Sequence, residues 1–221
     1  MKRTIILLGF VLTIASCQSK PSAENAGAGD AQSAAVAGSS EYSLNASSVV
    51  NWKGSKPGGE HVGTVNVTEG KVGTEKGKVV SGNFTIDLNT IICNDLTDAD
   101  MNGKLVGHLK SPDFSDVAKY PAAKFEIVSI SELAASSAGG FQATHQVTGN
   151  LTMKDVTKSI SFPAQIVVSD NLIKAESAPF ALNRTEWGVN YGSKSIFAEL
   201  KDNFIHDEMV ITLNLSFGKV Q

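Results

Sequence analysis

The sequence predicts an all-β domain, a single antiparallel β-barrel of about eight strands with one or two short helices. Three observations carry this expectation. Apolar and polar residues alternate with period two in several separate runs. The runs are divided by tight-turn residues rather than by long helical stretches. The chain has 221 residues, 42% of them hydrophobic, with ten phenylalanines. That is enough for one self-sufficient core.

The chain opens Met1-Lys2-Arg3, followed by an uncharged apolar run from Ile5 to Ile14. The run is too short to cross a bilayer as a helix, and a basic start, a short apolar core and then small residues is the layout of an export signal. Ile14-Ala15-Ser16-Cys17 resembles the lipobox of bacterial lipoproteins. The resemblance implies that residues 1–16 are removed and that Cys17 carries acyl chains as a membrane anchor, each buried CH₂ contributing roughly 0.8 kcal/mol. Gln18 follows Cys17, and by the sorting rule of such lipoproteins this implies the outer membrane, facing the periplasm.

Residues 17–40 are mostly Ala, Ser and Gly, with one larger aliphatic, Val36. Such a stretch buries too little apolar area to offset its ordering entropy. It reads as a flexible tether with a reach of roughly 25 Å, leaving residues 41–221 as the barrel domain. A helix fits less well, because glycines interrupt the alanines and no apolar stripe forms.

Within the domain, Phe84, Ile86 and Leu88 alternate with polar neighbours, as do Phe125 and Ile127, Ile160 and Phe162, and Ile211, Leu213, Leu215 and Phe217. Each run is a strand with one buried and one wet face. Further strands are expected over residues 42–53, 61–68, 141–152, 164–169 and 172–182. Turns fall at Lys56-Pro57-Gly58-Gly59, Glu69-Gly70, Ala138-Gly139-Gly140, Met153-Lys154-Asp155 and Ser169-Asp170-Asn171. Residues 95–109 and 194–200 break the alternation and read as short helices. Eight strands is the size at which a barrel interior either fills with side chains or holds one small ligand, and closure removes exposed edges.

Charge excludes one class of partner. Without Lys2 and Arg3 the 19 basic residues become 17 against 22 acidic ones, so the formal charge moves from −3 to −5. Nucleic acid binding needs a basic stripe. An anionic membrane surface would not attract such a chain either. Beyond Cys17 the one cysteine is Cys93, so no internal disulfide forms. Its expected state is a buried, inert thiol.

Enzyme signatures are missing. There is no Gly-x-Ser-x-Gly elbow, and Gly77-Lys78 is followed by Val79 where a phosphate loop needs Ser or Thr. His61, His108, His145 and His206 form no His-x-x-x-His pair. No cofactor and no metal are expected, although a metal-dependent hydrolase built from these histidines across strands is the enzymatic alternative.

Several stretches then carry a resemblance. They are Trp52-Lys53-Gly54-Ser55-Lys56 with His61-Val62-Gly63-Thr64, the run from Gly82 to Leu88, the continuous segment LVGHLKSPDFSDVAKYPAAKF from Leu105 to Phe125, the run from Val147 to Lys158, and Phe180-Ala181-Leu182-Asn183-Arg184-Thr185-Glu186-Trp187-Gly188-Val189. In order and spacing the domain resembles the YceI-like family of periplasmic lipid-binding proteins. One departure is Ser115, where the family often has a second aromatic after Phe114. True lipocalins match less well, since their Gly-x-Trp is absent. The resemblance implies a lipocalin-like barrel with a long apolar tunnel for an isoprenoid or another long aliphatic lipid.

Combining that tunnel with strand parity gives candidate lining residues Phe84, Ile86, Leu88, Phe125, Ile127, Ile160, Phe162, Phe180, Leu182, Leu213 and Leu215. Periodicity alone leaves open whether the interior is full or hollow, and one bulge would flip a face. For a head group, Arg184 and Lys110 are the candidate cations. Arg184 has the alternative of pairing with Asp113 or Asp116, and His108 either caps a turn or lines the tunnel mouth. The expected partners are therefore a long-chain isoprenoid or fatty lipid and a membrane through Cys17. Monomer and homodimer stay open, as does a ligand-free envelope stress or interaction module.

Overall fold

The alternating runs of the described residues form strands whose register wraps them into a closed wall. The computed structural model of the protein describes residues 23–136 and 141–220. Cys17 and the export signal lie outside the described residues. Among the described residues the strands are β1 (Glu24–Asn25), β2 (Gly29–Asp30), β3 (Ser40–Leu44), β4 (Val49–Lys56), β5 (Gly59–Glu75), β6 (Lys78–Cys93), β7 (Ala122–Ser136), β8 (Ala143–Met153), β9 (Val156–Val168), β10 (Leu172–Ser177), β11 (Phe180–Asn183) and β12 (Glu208–Lys219), with an α-helix, α1 (Ala99–Lys110), between β6 and β7. The ring runs β4, β5, β6, β7, β8, β9, β10, β12 and back to β4, all antiparallel. Eight ring strands match the number expected, although β5 runs through Glu69-Gly70, where a turn was expected and a register shift between Val67 and Glu69 bends the strand instead.

Hairpin turns set the register. Lys76 and Gly77 between β5 and β6, and Lys154 and Asp155 between β8 and β9, all have positive φ. Paired left-handed residues match the right-handed twist of the flanking strands. Register shifts in the β5–β6 and β7–β8 pairings bend these long strands around the barrel, as bulges do. Phe84, Ile86 and Leu88 are buried on β6 while Thr85 and Asp87 between them are less so, so the apolar face turns inward.

Three departures have physical causes. The strand expected over residues 172–182 is two strands, because Pro179 between β10 and β11 has no N–H for a ladder. The helix expected over residues 194–200 is only a 3-10 turn, Ala198–Leu200. Ser193 is instead held in a bridge with Ile205, and Ser, Ile and Phe are weak helix formers. The helix expected from residue 95 starts later, where Asp98 caps it by accepting from the Met101 N–H.

The largest departure is in residues 24–40, expected as a free tether. β10 leaves the first half of β9 unpaired, and β1 and β2 fill that gap. β1 pairs in parallel with β11, β2 pairs with β9, and Ala26 donates to Ala181 and accepts from Ser161. Gln32 then bonds to Asn150 and Ser159, Ala35 to Ile127, and Gly38 to the Ser81 hydroxyl. Composition undervalued the segment because backbone hydrogen bonds to an open sheet edge need no apolar side chains.

Candidate functional site

The barrel interior is hollow over part of its length. A cavity of about 1130 Å³ opens at the α1 end, above the roughly 300–1,000 Å³ usual for small-molecule pockets. Its floor is a row of phenylalanines. Phe84 on β6 stacks on Phe125 of β7 at 5.1 Å, Phe125 lies 5.7 Å from Phe162 of β9, and Phe162 stacks on Phe180 of β11 at 4.5 Å. The Phe125 ring fits because β8 offers Gly149, where a Cβ would lie 2.2 Å from the ring. Phe84, Phe125, Phe162 and Leu213 also line a second space of only about 50 Å³ on the far side, so the barrel is filled below the rings.

Nine of the eleven expected lining residues, Phe84, Ile86, Leu88, Phe125, Ile160, Phe162, Phe180, Leu182 and Leu213, border the large cavity. Ile127 and Leu215 do not. They face inward but border the small space. The hollow part is thus one chamber above a packed end rather than a tunnel through the barrel. Val50, Trp52, Val65 and Ile91 from β4, β5 and β6 and Met209 and Ile211 from β12 complete its wall. Ile211 and Met209 extend the Leu213 parity, a signal present in the sequence. Val50 and Trp52 of β4 likewise alternate with Asn51.

The rim is built from the family-like motifs. α1 and the loop after it bring Leu105, His108, Leu109 and Phe114 to the mouth. The His108 ring meets Phe114 edge-on at 5.0 Å and Tyr191 at 4.6 Å, and its Nε2 lies 3.4 Å from Asp113. His108 therefore lines the mouth and takes Asp113 as its own partner. Lys110 donates to the Asn89 carbonyl at 2.7 Å and is not among the residues bordering the cavity.

Arg184 is 1% exposed. Its guanidinium donates to the carbonyls of Val189 at 2.6 Å, Ile205 at 3.2 Å and His206 at 3.2 Å, and lies 3.6 Å from Asp207. Its ionic partner is Asp207, not Asp113 or Asp116. Burial lowers the Arg184 pKa and Asp207 opposes this. Burial pushes Asp207 up, but hydrogen bonds from Ser193 and Ser195 and the Arg184 charge hold it below its ordinary value. With three N–H groups bonded to carbonyls of the 189–207 segment and its charge paired with Asp207, Arg184 holds the wall of the mouth rather than offering a free cation.

A second group lies beside the mouth. His61 on β5 places Nδ1 2.8 Å from Asp95 Oδ2, and the Cys93 thiol donates to Asp95 Oδ1 at 3.2 Å. Asp95 is held well below the usual carboxylate range by the Val62 N–H first, then by His61 and Cys93. Sequence spacing gave no sign of this trio, because 32 positions in the chain separate His61 from Cys93 while the β5–β6 ladder sets Gly63 opposite Cys93.

Comparison with known proteins agrees with this architecture. The family model of the YceI-like domain matches residues 42–217. A UPF0312 protein of Pseudomonas putida is 33% identical over 137 residues, covering 60% of this chain and 65% of the relative. One of Shewanella denitrificans is 31% identical over 107 residues, 48% of this chain and 49% of the relative. The chain thus spans less than two thirds of the relatives it matches. Among solved structures, a polyisoprenoid binding domain from Saccharophagus degradans implicated in plant cell wall breakdown superposes with a TM-score of 0.58 at 17% identity, over 81% of this chain and 98% of that one. BcnA of Burkholderia cenocepacia gives 0.57 at 20% identity, over 76% and 95%. At these identities the likeness is one of fold. The family match covers nearly the whole barrel, and the chain belongs to the YceI-like domain family.

Proposed function

We propose that the protein is a lipid-anchored envelope protein that holds a long-chain lipid, an isoprenoid or related amphiphile, in the barrel chamber. The observation that carries the reading is the chamber of about 1130 Å³ above the phenylalanine floor, walled by Ile86, Leu88, Ile160 and Leu182. An isoprenoid chain has no stable place in water, and each buried methylene contributes roughly 0.8 kcal/mol. Binding of this kind needs no catalytic group, and the role is carriage, storage or sensing rather than catalysis. The polyisoprenoid binding named for the Saccharophagus degradans domain is in keeping with it.

The amphiphile's head sits at the mouth, near His108 and Tyr191, and its tail points to the Phe162 floor. Cys17 supplies the anchor, placing the barrel at the outer membrane on the periplasmic side. Six Cα–Cα steps separate Cys17 from Ala23, the first of the described residues. At about 3.5 Å per residue they span at most ~20 Å, so the barrel works against the membrane that supplies or receives the lipid.

Native mass spectrometry of the protein purified from its own host tests the carrier role. A mass increment of a long-chain lipid, identified after organic extraction, is expected. A folded protein with a bare mass contradicts it. Cys17→Ser should move the protein from the membrane fraction to the soluble fraction, and unchanged fractionation would remove the anchor.

A further inference from the structure

We propose that His61, Cys93 and Asp95 form a binding site for a zinc-class divalent metal ion at the rim of the barrel. The three donor atoms lie within 4.8 Å of one another. Metal bonds of about 2.0–2.3 Å to nitrogen, oxygen and sulfur require donors in that range, so an ion enters where hydrogen bonds now run from His61 Nδ1 to Asp95 Oδ2 and from the Cys93 thiol to Asp95 Oδ1.

The site is built rather than incidental. Cys93 ends β6 opposite Gly63, two residues after His61 on β5, so the sheet fixes two donors. The Gly63 position admits no side chain, since a Cβ there would lie 1.9 Å from the Ile92 carbonyl oxygen. The Asn102 side chain donates to the carbonyls of Cys93 and Leu96, both at 2.9 Å, which ties α1 to the turn bearing Asp95. The Val62 N–H donates to Asp95 Oδ1 at 2.8 Å and orients the carboxylate, as the outer shell of a metal site does. The Asn94 N–H completes the turn by donating to the Val62 carbonyl.

The donor set selects the ion. Thiolate and imidazole favour zinc and its late transition-metal neighbours over magnesium or calcium, which prefer all-oxygen shells. Neutral His61 with anionic Cys93 and Asp95 balances a divalent charge, and binding releases the Cys93 thiol proton to solvent. Cys93 is buried, whereas His61 and Asp95 are partly open, so the ion reaches the site from the solvent side. Three protein ligands leave a fourth position for water.

Cobalt(II) titration of the metal-free full chain tests the site, because cobalt bound by thiolate gives a charge-transfer absorption. One equivalent should produce that absorption and added zinc should abolish it. Cys17→Ser should retain it, while Cys93→Ser and His61→Gln should lose it. Asp95→Asn should weaken binding by at least roughly ten-fold. Absence of the absorption in the unmodified chain overturns the proposal, as does its persistence in folded Cys93→Ser. If Cys93→Ser does not fold, His61→Gln decides alone, since its side chain is only half-buried, and persistence there is equally fatal.

Discussion

Phe162 and Phe180 stack face to face, with ring centroids 4.5 Å apart and planes 9° from parallel. They sit on β9 and β11, whose adjacent edges are joined by the N-terminal segment. With Phe84 and Phe125 they divide a hollow chamber from a packed barrel end. Phe162→Ala should cost about 3–5 kcal/mol of stability, the usual loss for a buried phenylalanine. Urea unfolding measures it. A loss below about 1 kcal/mol would mean that the floor is not a packed element.

Arg184 should prove structural. Removing it leaves three carbonyls without their donor and Asp207 without its ionic partner. Breaking a buried charge pair typically costs about 3–5 kcal/mol. Arg184→Ala should therefore lower the melting temperature and render residues 189–207 sensitive to limited proteolysis. A variant of unchanged stability that loses only lipid affinity would return Arg184 to the head-group role.

The face of each strand was legible in the sequence, and depth along the barrel was not. Period two assigned Ile127 and Leu215 to the inside, where they are, but periodicity carries no information on whether a position lies above or below the phenylalanine row. That boundary depends on which strands align, and thus on turns and bulges such as the shift between Ile127 and Ser129. Nor could composition reveal that residues 24–30 would be drawn into the wall, because their contribution is backbone pairing. His61, Cys93 and Asp95 were visible individually. Only the β5–β6 register brings them together.

The N-terminal segment makes its own prediction. The Ser161 N–H donates to the Ala26 carbonyl at 2.9 Å. A chain lacking residues 23–30 should show faster amide exchange at Ser161, with the β5–β6 hairpin unaffected, because an unpaired edge amide exchanges by local opening. Equal protection in the two chains would show that the segment does not complete the wall.

Asp95 gives a pH signature. Its folded pKa is depressed below the ordinary 3.8, chiefly by the Val62 N–H. A depressed carboxylate contributes stability above its unfolded pKa and loses that contribution as pH falls through the folded one. In the metal-free protein, the stability advantage of the native chain over Asp95→Asn should be present at about pH 5 and shrink as pH falls below about pH 4. Chemical denaturation across that range measures it, and an advantage that does not fall in acid would show that the ionised carboxylate is not the stabilising form.

The chamber itself is tested by filling it. Ile86 borders the cavity from β6 above the floor, so Ile86→Trp should occupy space that a lipid tail would use while keeping the wall apolar. Lipid co-purifying with the protein from its own host is extracted and quantified per folded chain for the native protein and this variant. A clear stoichiometric yield from the native chain and a several-fold lower yield from Ile86→Trp are predicted. Equal retention by both, or no long-chain lipid from either, would contradict the chamber as the lipid site.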